Sequence, residues 1–592
     1  MNFPNSTRQI KFAEIGSSSI FIFLAILLSI SRIPFPDSVL PIYLVGASAL
    51  IVVSLFWIRG GFQTSANSAI ALIIFFSILI IWAFATRAFF SPGDDEYGYH
   101  ILALWDLANG WDPFFTPHDN IWLDSYPSGL YVIESYMVAL TGLLLSGQSV
   151  IVGLMAAVAF QAYGVFLEHV SSNLPRFKHT GAFLFACILV ANPIVLTQIM
   201  THYVDAPLYL FGCALLLFLM SDAISSNGLA RWSAISCMIL LVNTKTAALY
   251  YVPLIVFGGF VMDLVLKHTE SGLFDRGFRW VTRKGIIYCA AFAFGIVVIG
   301  YKPFVTNFQD HGEFLYPSVN EIMKGNAPEN TLPLSPPMKF VYGIASETGE
   351  SIWPLPFDVP IELKIPGTFR LGEFKYLRFD TRRGGFGPFF SLALIASILA
   401  YASARFSSRN KRIYTWHREG DAIAALSLVV FLASMFFPES WWARYVPYIW
   451  VCAILFATSS LFLKGSGTGL VLSRIILGVA VISFLGCIFA GLIGAARQHH
   501  KTYQKTQIIG HLSKFPLVEL YPEIDNRITT DFQSKTITSA GDVWAKLIEA
   551  RGAKVRVYKN TGNEIFDHRT YCKKEGWLEA DVFWCVPRII RP

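Results

Sequence analysis

Residues 68–90 read SAIALIIFFSILIIWAFATRAFF, with Arg87 as the one charge. They run directly into Ser91-Pro92-Gly93-Asp94-Asp95-Glu96-Tyr97-Gly98-Tyr99-His100. A helix needs about 20 apolar residues to cross the hydrocarbon layer of a bilayer. The stretch therefore spells a membrane span that ends abruptly in three consecutive carboxylates. That junction sets the fold expectation: a membrane chain with polar chemistry gathered at one face.

Working outward, further apolar runs occur at 15–33, 39–58, 149–168, 180–198, 203–221, 229–247, 248–266, 285–303, 385–404, 421–437, 445–463 and 471–494. With 68–90 they make 13 expected spans. One more run, 129–146, is ambiguous, because it holds Glu134, Ser135 and Tyr136 and follows Tyr126-Pro127-Ser128-Gly129. Lys and Arg prefer cytoplasmic loops, and they resolve it. Arg8 and Lys11 put the N-terminus inside, so the span 68–90 exits and 91–128 lies outside. If 129–146 does not cross, the basic loops 169–179, 267–284 and 405–420 are all cytoplasmic; if it crosses, all three move outside. The segment is expected as an external helix lying in the interface.

Composition agrees. Of 592 residues, 54% are hydrophobic and 15% are charged, against about 25% charged in a soluble protein. Mean hydropathy is +0.50. The apolar content excludes a disordered chain, and 8 Cys in so long a chain exclude a disulfide scaffold. The net charge of +7 sits mainly between apolar segments, so it gives no reason to expect nucleic acid as a partner. No A-x-A site follows the first apolar run, where Arg32-Ile33-Pro34 opens a turn instead, so a cleaved signal peptide is not expected.

The expected architecture is an all-α polytopic membrane protein with a small α/β extracytoplasmic C-terminal domain. Residues 1–67 form an N-terminal two-helix membrane segment. Residues 68–494 form the transmembrane catalytic domain, with external loops 91–148 and 304–384. Residues 495–592 form a soluble periplasmic domain. In that tail 543–550 reads as helix, Gly552 as its stop and 554–558 as a strand. Cys572 and Cys585 lie there and pair if the compartment is oxidising, which spacing alone does not decide.

The unusual polar residues fall at one face. Beside 92–100 they are His202-Tyr203-Val204-Asp205, Lys245, Tyr301-Lys302-Pro303 with Asp310-His311-Gly312-Glu313, Arg382-Arg383, and Glu439-Ser440-Trp441-Trp442-Ala443-Arg444-Tyr445. Ionisable residues at membrane depth are costly and tend to be functional. Each cluster has a second reading. Asp94 can be a helix N-cap, with Asp95 and Glu96 favoured in the first turn by the helix dipole. His202 and Asp205 share a helix face and can be a structural pair. Lys245 and Lys302 can snorkel to the interface, and Trp441, Trp442 and Tyr445 can be an aromatic belt.

There is no G-x-S-x-G, Walker A, H-E-x-x-H or C-x-x-C motif, so acyl hydrolysis, ATP hydrolysis and a zinc site have no support. The order of what is present resembles the GT-C superfamily of integral-membrane glycosyltransferases, which includes protein O-mannosyltransferases and lipid A aminoarabinose transferases. The resemblance rests on Asp95-Glu96-Tyr97, then Gly110, then Tyr126-Pro127-Ser128-Gly129-Leu130-Tyr131, then Asn192-Pro193 with His202 and Asp205, then Leu241-Val242-Asn243-Thr244-Lys245. It covers about 68–260. The chain departs from that pattern in placing two spans before the acidic loop and in reading Tyr126-Pro127-Ser128 where the family often has Tyr-Pro-Pro.

The resemblance implies transfer of a sugar from a polyprenyl-phosphate-linked donor to an extracytoplasmic glycan, lipid or protein, at the outer face of a bacterial inner membrane. Such transfer needs a base for the acceptor hydroxyl and cations for the departing phosphate. Asp95 is the expected base, with Glu96 and Asp94 tuning it or orienting the acceptor. Arg444, Arg383, Lys302 and Lys245 are the expected phosphate partners, and His202, Asp205, Tyr97 and His100 the acceptor or supporting residues. A single attacking step gives inversion. The acidic run leaves room for a divalent metal, but no ligand set and no other cofactor is assigned. One rival is an O-antigen polymerase or ligase using loop 304–384, with His311, Arg378, Arg382 and Arg383. The other is a transporter, which lacks the broken helix pair expected of one.

Overall fold

The structure is a computed structural model that describes residues 4–33, 41–93, 95–170, 178–267, 272–317, 328–349, 360–408, 418–463, 468–522, 531–558, 572–578 and 582–587. Among these, nine helices are long and apolar enough to cross a membrane: Gln9–Ile30, Pro41–Thr86, Leu144–Glu168, Asp205–Ser225, Ala248–Leu266, Leu273–Ile299, Phe390–Ser407, Arg418–Phe436 and Thr468–Leu512. The chain is a multi-pass, mainly helical membrane protein.

Pro41–Thr86 contains two of the expected spans. Gly61 breaks it at φ 69°, a conformation open to glycine because it has no Cβ. The Ser65 hydroxyl donates to the Val53 carbonyl at 3.1 Å. Twelve residues of straight helix would separate those positions by about 18 Å, so the two halves fold back as a hairpin. Three other expected spans form shorter apolar helices, Lys178–Val190, Gly228–Val242 and Tyr448–Phe462, of 13, 15 and 15 residues. Asn192-Pro193 stops extension of the first as an α-helix, since proline has no N–H to give. Asn243, whose side chain donates to the Ile239 carbonyl, closes the second. Helix length therefore does not fix the count at 13. The ambiguous run forms Gly129–Thr141, closed by Gly142 at φ 70°. At about 20 Å it is shorter than the roughly 30 Å apolar core of a bilayer.

The helix ends sort into two polar layers. At the end away from the acidic loop, Lys284 Nζ lies 2.8 Å from Asp222 and 3.3 Å from Asp263. Arg231 reaches Asp222 at 3.1 Å, and Lys267 reaches Asp263 at 2.9 Å. These residues come from helix ends that the charge pattern assigns to the cytoplasm. Parts of the basic loops, 171–177, 268–271 and 409–417, lie outside the described residues.

Thr468–Leu512 is a 45-residue helix, about 68 Å long. It runs past the expected span end at 494 and through 495 without a break, so the C-terminal domain is carried on a continuous rod. That domain has strands β1 Leu517–Pro522, β2 Lys554–Val557, β3 Cys572–Trp577 and β4 Val582–Pro587, in the order β2-β1-β4-β3. β1 and β2 are parallel and joined by the helix Asp531–Glu549; the β4 pairings are antiparallel. Gly552 at φ 96° turns the chain from that helix into β2, where the sequence places a stop. Cys585 is disulfide-bonded, and Cys187, Cys213, Cys237, Cys289, Cys452 and Cys487 are free.

Candidate active site

The acidic run opens a π-helical turn, Glu96–His100, that continues as the α-helix Ile101–Ala108. Asp95 stands at the helix start but makes no side-chain capping bond. Its Oδ2 instead accepts from the Tyr203 hydroxyl at 3.3 Å. Glu96 turns the other way and is fully buried. Its two oxygens meet the His202 backbone N–H at 2.6 Å and His202 Nδ1 at 2.8 Å. Neighbouring residues on a helix point about 100° apart, which separates the two fates. Asp94 lies outside the described residues.

Facing Asp95 is a compact set of charges. Arg444 Nη1 lies 2.8 Å from Asp380 Oδ1, and its Nε lies 3.3 Å from Asp205 Oδ2. Asp205 also pairs with Lys245 and accepts from Gln198 Nε2 at 3.2 Å. Arg382 reaches Asp380 at 3.3 Å. Aromatic rings hold the cations: the guanidinium carbons of Arg444 and Arg382 lie 4.6 and 4.7 Å from the Trp442 ring centroid, and Lys245 Nζ lies 4.1 Å from that of Tyr445. Such cation–π contacts strengthen as water is removed. Two buried donors here, Arg444 Nε and Trp442 Nε1, make no hydrogen bond. Burial pushes the Asp95 carboxyl above its ordinary value, while Arg444 and the Tyr203 hydrogen bond pull it part of the way back. A carboxyl shifted in that direction is a stronger proton acceptor when ionised.

The other expected residues take supporting or separate places. The Tyr97 hydroxyl donates to the Ser91 carbonyl at 2.7 Å. His100 Nδ1 meets the Tyr131 hydroxyl at 2.7 Å, and its ring lies against Tyr203 with centroids 5.0 Å apart. Burial, then the charge of His202, depresses the His100 pKa well below the usual histidine value. Lys302 pairs with Asp124 at 2.5 Å, apart from the Arg444 set, and Arg383 lies beside Gly349, with which it forms a β-bridge. Among the described residues, no group of three or more His, Cys, Asp or Glu side chains is arranged to hold a metal.

No family model matches the sequence, and no curated protein matches it. Two solved structures are similar to it. One is ArnT from Cupriavidus metallidurans bound to undecaprenyl phosphate, 11% identical, with 88% of this chain and 99% of that chain covered at a TM-score of 0.43. The other is ArnT from the same organism in the apo state, 10% identical, covering 87% and 97% at a TM-score of 0.44.

Sequence reasoning missed Asp380, Gln198 and the role of Tyr203. Arg382 stood among the polar clusters at that face but was given a role only in the rival reading. The Asp380-Thr381-Arg382-Arg383 run does carry a signal, an acid beside basic residues just before a span. Nothing local says that its partner is Arg444.

Proposed function

We propose that the chain is a membrane glycosyltransferase that moves a sugar from a polyprenyl-phosphate-linked donor to an extracytoplasmic acceptor. The observation that carries this reading is the pairing of opposites across one site. Asp95 has a raised carboxyl that caps nothing. Opposite it lie Arg444 and Trp442, with buried N–H donors that make no hydrogen bond.

In this reading Asp95 takes the proton of the acceptor hydroxyl as its oxygen bonds to the anomeric carbon. The bond from that carbon to the phosphate oxygen breaks, and the lipid phosphate leaves with the electron pair. Arg444, Arg382 and Lys245 receive the growing negative charge, an arrangement worth most where water is excluded. Attack opposite the leaving group inverts the anomeric carbon. Asp205 and Asp380 keep the cations in place before the donor arrives. Lys302, expected as a phosphate partner, is engaged by Asp124 and has no part in this step; Arg383, next to Arg382, stays a candidate phosphate partner; His202 serves through Glu96, and His100 and Tyr97 support the loop. The site faces the periplasm in a bacterial inner membrane, among membrane lipids, and the acceptor is a glycan, lipid or protein.

The polymerase or ligase reading gains one observation, because Asp380 and Arg382 come from loop 304–384. The two readings now differ on Asp95. The experiment is turnover by purified protein with a panel of polyprenyl-phosphate sugars, scoring release of polyprenyl phosphate. Activity that survives in well-folded Asp95→Asn removes the proposed base. No release from any lipid-linked sugar ends the reading.

A further inference from the structure

We propose that the C-terminal domain holds the acidic loop in its working position, with Trp544 as the positioning residue acting through Tyr97. The inference rests on the glycosyltransferase reading for what the position is for. The contact itself stands on geometry.

Trp544 is fully buried on the helix Asp531–Glu549. Its ring stacks on Tyr97 with centroids 4.3 Å apart and planes 15° apart, and lies 5.7 Å from Phe90. Tyr97 is itself fully buried, two residues beyond Asp95. The same domain grips the segment at its ends. Arg551 lies over Phe90 at 5.2 Å, and Lys546 lies over Trp105 at 4.9 Å. The long C-terminal rod adds the Thr506 hydroxyl on the Ala88 carbonyl and Tyr503 against Phe89 at 5.4 Å. Contacts from the tail and its rod thus flank Asp95 on both sides along the chain.

The loop needs outside support. Gly93 sits at φ 100°, so the chain reaches Asp95 through a position with glycine's backbone freedom. Tyr203 holds the Asp95 carboxylate and His202 the Glu96 carboxylate, both from the 202–203 turn, and Trp544 meets the loop at Tyr97. A reacting group must be held to a fraction of an ångström, and supporting residues do that through locked packing. The flat Trp544–Tyr97 stack fits such a support. A Trp serving only the tail's own core would have no reason to place its ring on the segment that carries the base.

The test uses the full chain in lipid nanodiscs, comparing Trp544→Ala, Trp544→Phe and a control, Val586→Ala, which loosens the tail's sheet while keeping both stacked rings. Hydrogen exchange is read in peptides covering 95–108, and kcat and donor KM are read separately. Trp544→Ala should speed exchange there by about tenfold and lower kcat by roughly 10–10²-fold, with donor KM within about twofold of wild type because the cation set is untouched. Trp544→Phe should restore most of both. Val586→Ala should lower thermal stability with neither effect. Unchanged exchange in Trp544→Ala overturns the proposal, as does faster exchange with normal kcat or an equal response in Val586→Ala. If the wild type transfers no lipid-linked sugar, the glycosyltransferase reading falls, and the exchange data alone decide whether the tail holds the loop.

Discussion

The Tyr203 hydroxyl donates to Asp95 at 3.3 Å and so ties the start of the acidic helix to the turn that carries His202 and Asp205. One residue further, Glu96 makes a second tie to the same turn through His202. The two bonds do different work. The Glu96 pair is fully buried and fixes the Glu96 carboxylate to both the backbone and the ring of His202, whereas the Asp95 bond ends at a partly buried carboxylate beside the cations. On the proposed mechanism, structure and chemistry are divided between consecutive residues.

Asp95→Asn tests that division. The amide keeps the shape and can still accept from Tyr203, but it cannot take a proton. Turnover should fall by roughly 10²–10⁴-fold with donor KM nearly unchanged. Thermal stability should hold, because the folded environment raises the Asp95 carboxyl and so disfavours its ionised form. Glu96→Gln should behave in the opposite sense and lose stability, since a buried charge-assisted bond to His202 is weakened. Calorimetry and a product-release assay on the same preparations separate the two.

The pH profile follows from the same direction of shift. Only ionised Asp95 accepts a proton, so kcat/KM should rise with pH and level off above the Asp95 pKa, which lies above the ordinary 3.8. The Tyr203 hydrogen bond lowers that pKa. Tyr203→Phe removes it, so the acid limb should move to higher pH while the plateau is reduced less than in Asp95→Asn. A limb that stays in place, or moves to lower pH, contradicts the assignment of the base.

How much of this could be read beforehand depends on where each residue's partner lies. The acidic run was legible because carboxylates ending an apolar span stand out against everything near them. Arg444 and Lys245 were legible for the same reason, as charges in apolar surroundings. The separate fates of Asp95 and Glu96 were not, because helix geometry says that they diverge but not which of them faces the cations. Lys302 carries the same sequence signal as Lys245, yet its partner Asp124 lies 178 residues away. Asp380 sits in a loop without periodicity, so no pattern marked it. In the tail, Gly552 and the strand after it were read from local chemistry, while Trp544 looked like any buried aromatic residue of an amphipathic helix.

The opposite polar layer offers a control free of the active site. Lys284 joins Asp222 and Asp263 at 2.8 and 3.3 Å. Without Lys284, Asp222 keeps Arg231 and Asp263 keeps Lys267, so the loss should stay below the roughly 3–5 kcal/mol of a fully uncompensated buried charge. Lys284→Ala should therefore lower thermal stability moderately while leaving kcat per folded molecule and donor KM at wild-type values. A selective loss of kcat in this variant would mean that the two layers are coupled through the bundle.

Arg444 gives the most demanding prediction, because the proposed mechanism has it serve both fold and ligand. Its guanidinium bridges Asp205 and Asp380, and Arg444→Ala leaves Asp205 to Lys245 and Asp380 to Arg382, two carboxylates beside fewer cations. Stability should fall, by less than the roughly 3–5 kcal/mol of a fully uncompensated buried charge, and donor KM should rise, since a charge-assisted contact to phosphate is lost. Weaker binding in a damaged protein proves little by itself. The double variant Arg444→Ala/Asp380→Ala removes one stranded charge and should recover part of the stability. It should not recover donor affinity, because the phosphate still lacks its guanidinium. Arg444→Lys supplies charge without the planar fork, so it should bind donor better than Arg444→Ala and remain below wild type. If the double variant regains both stability and donor affinity, Arg444 is a structural bridge alone, and the phosphate site has to be sought around Lys245 and Arg382.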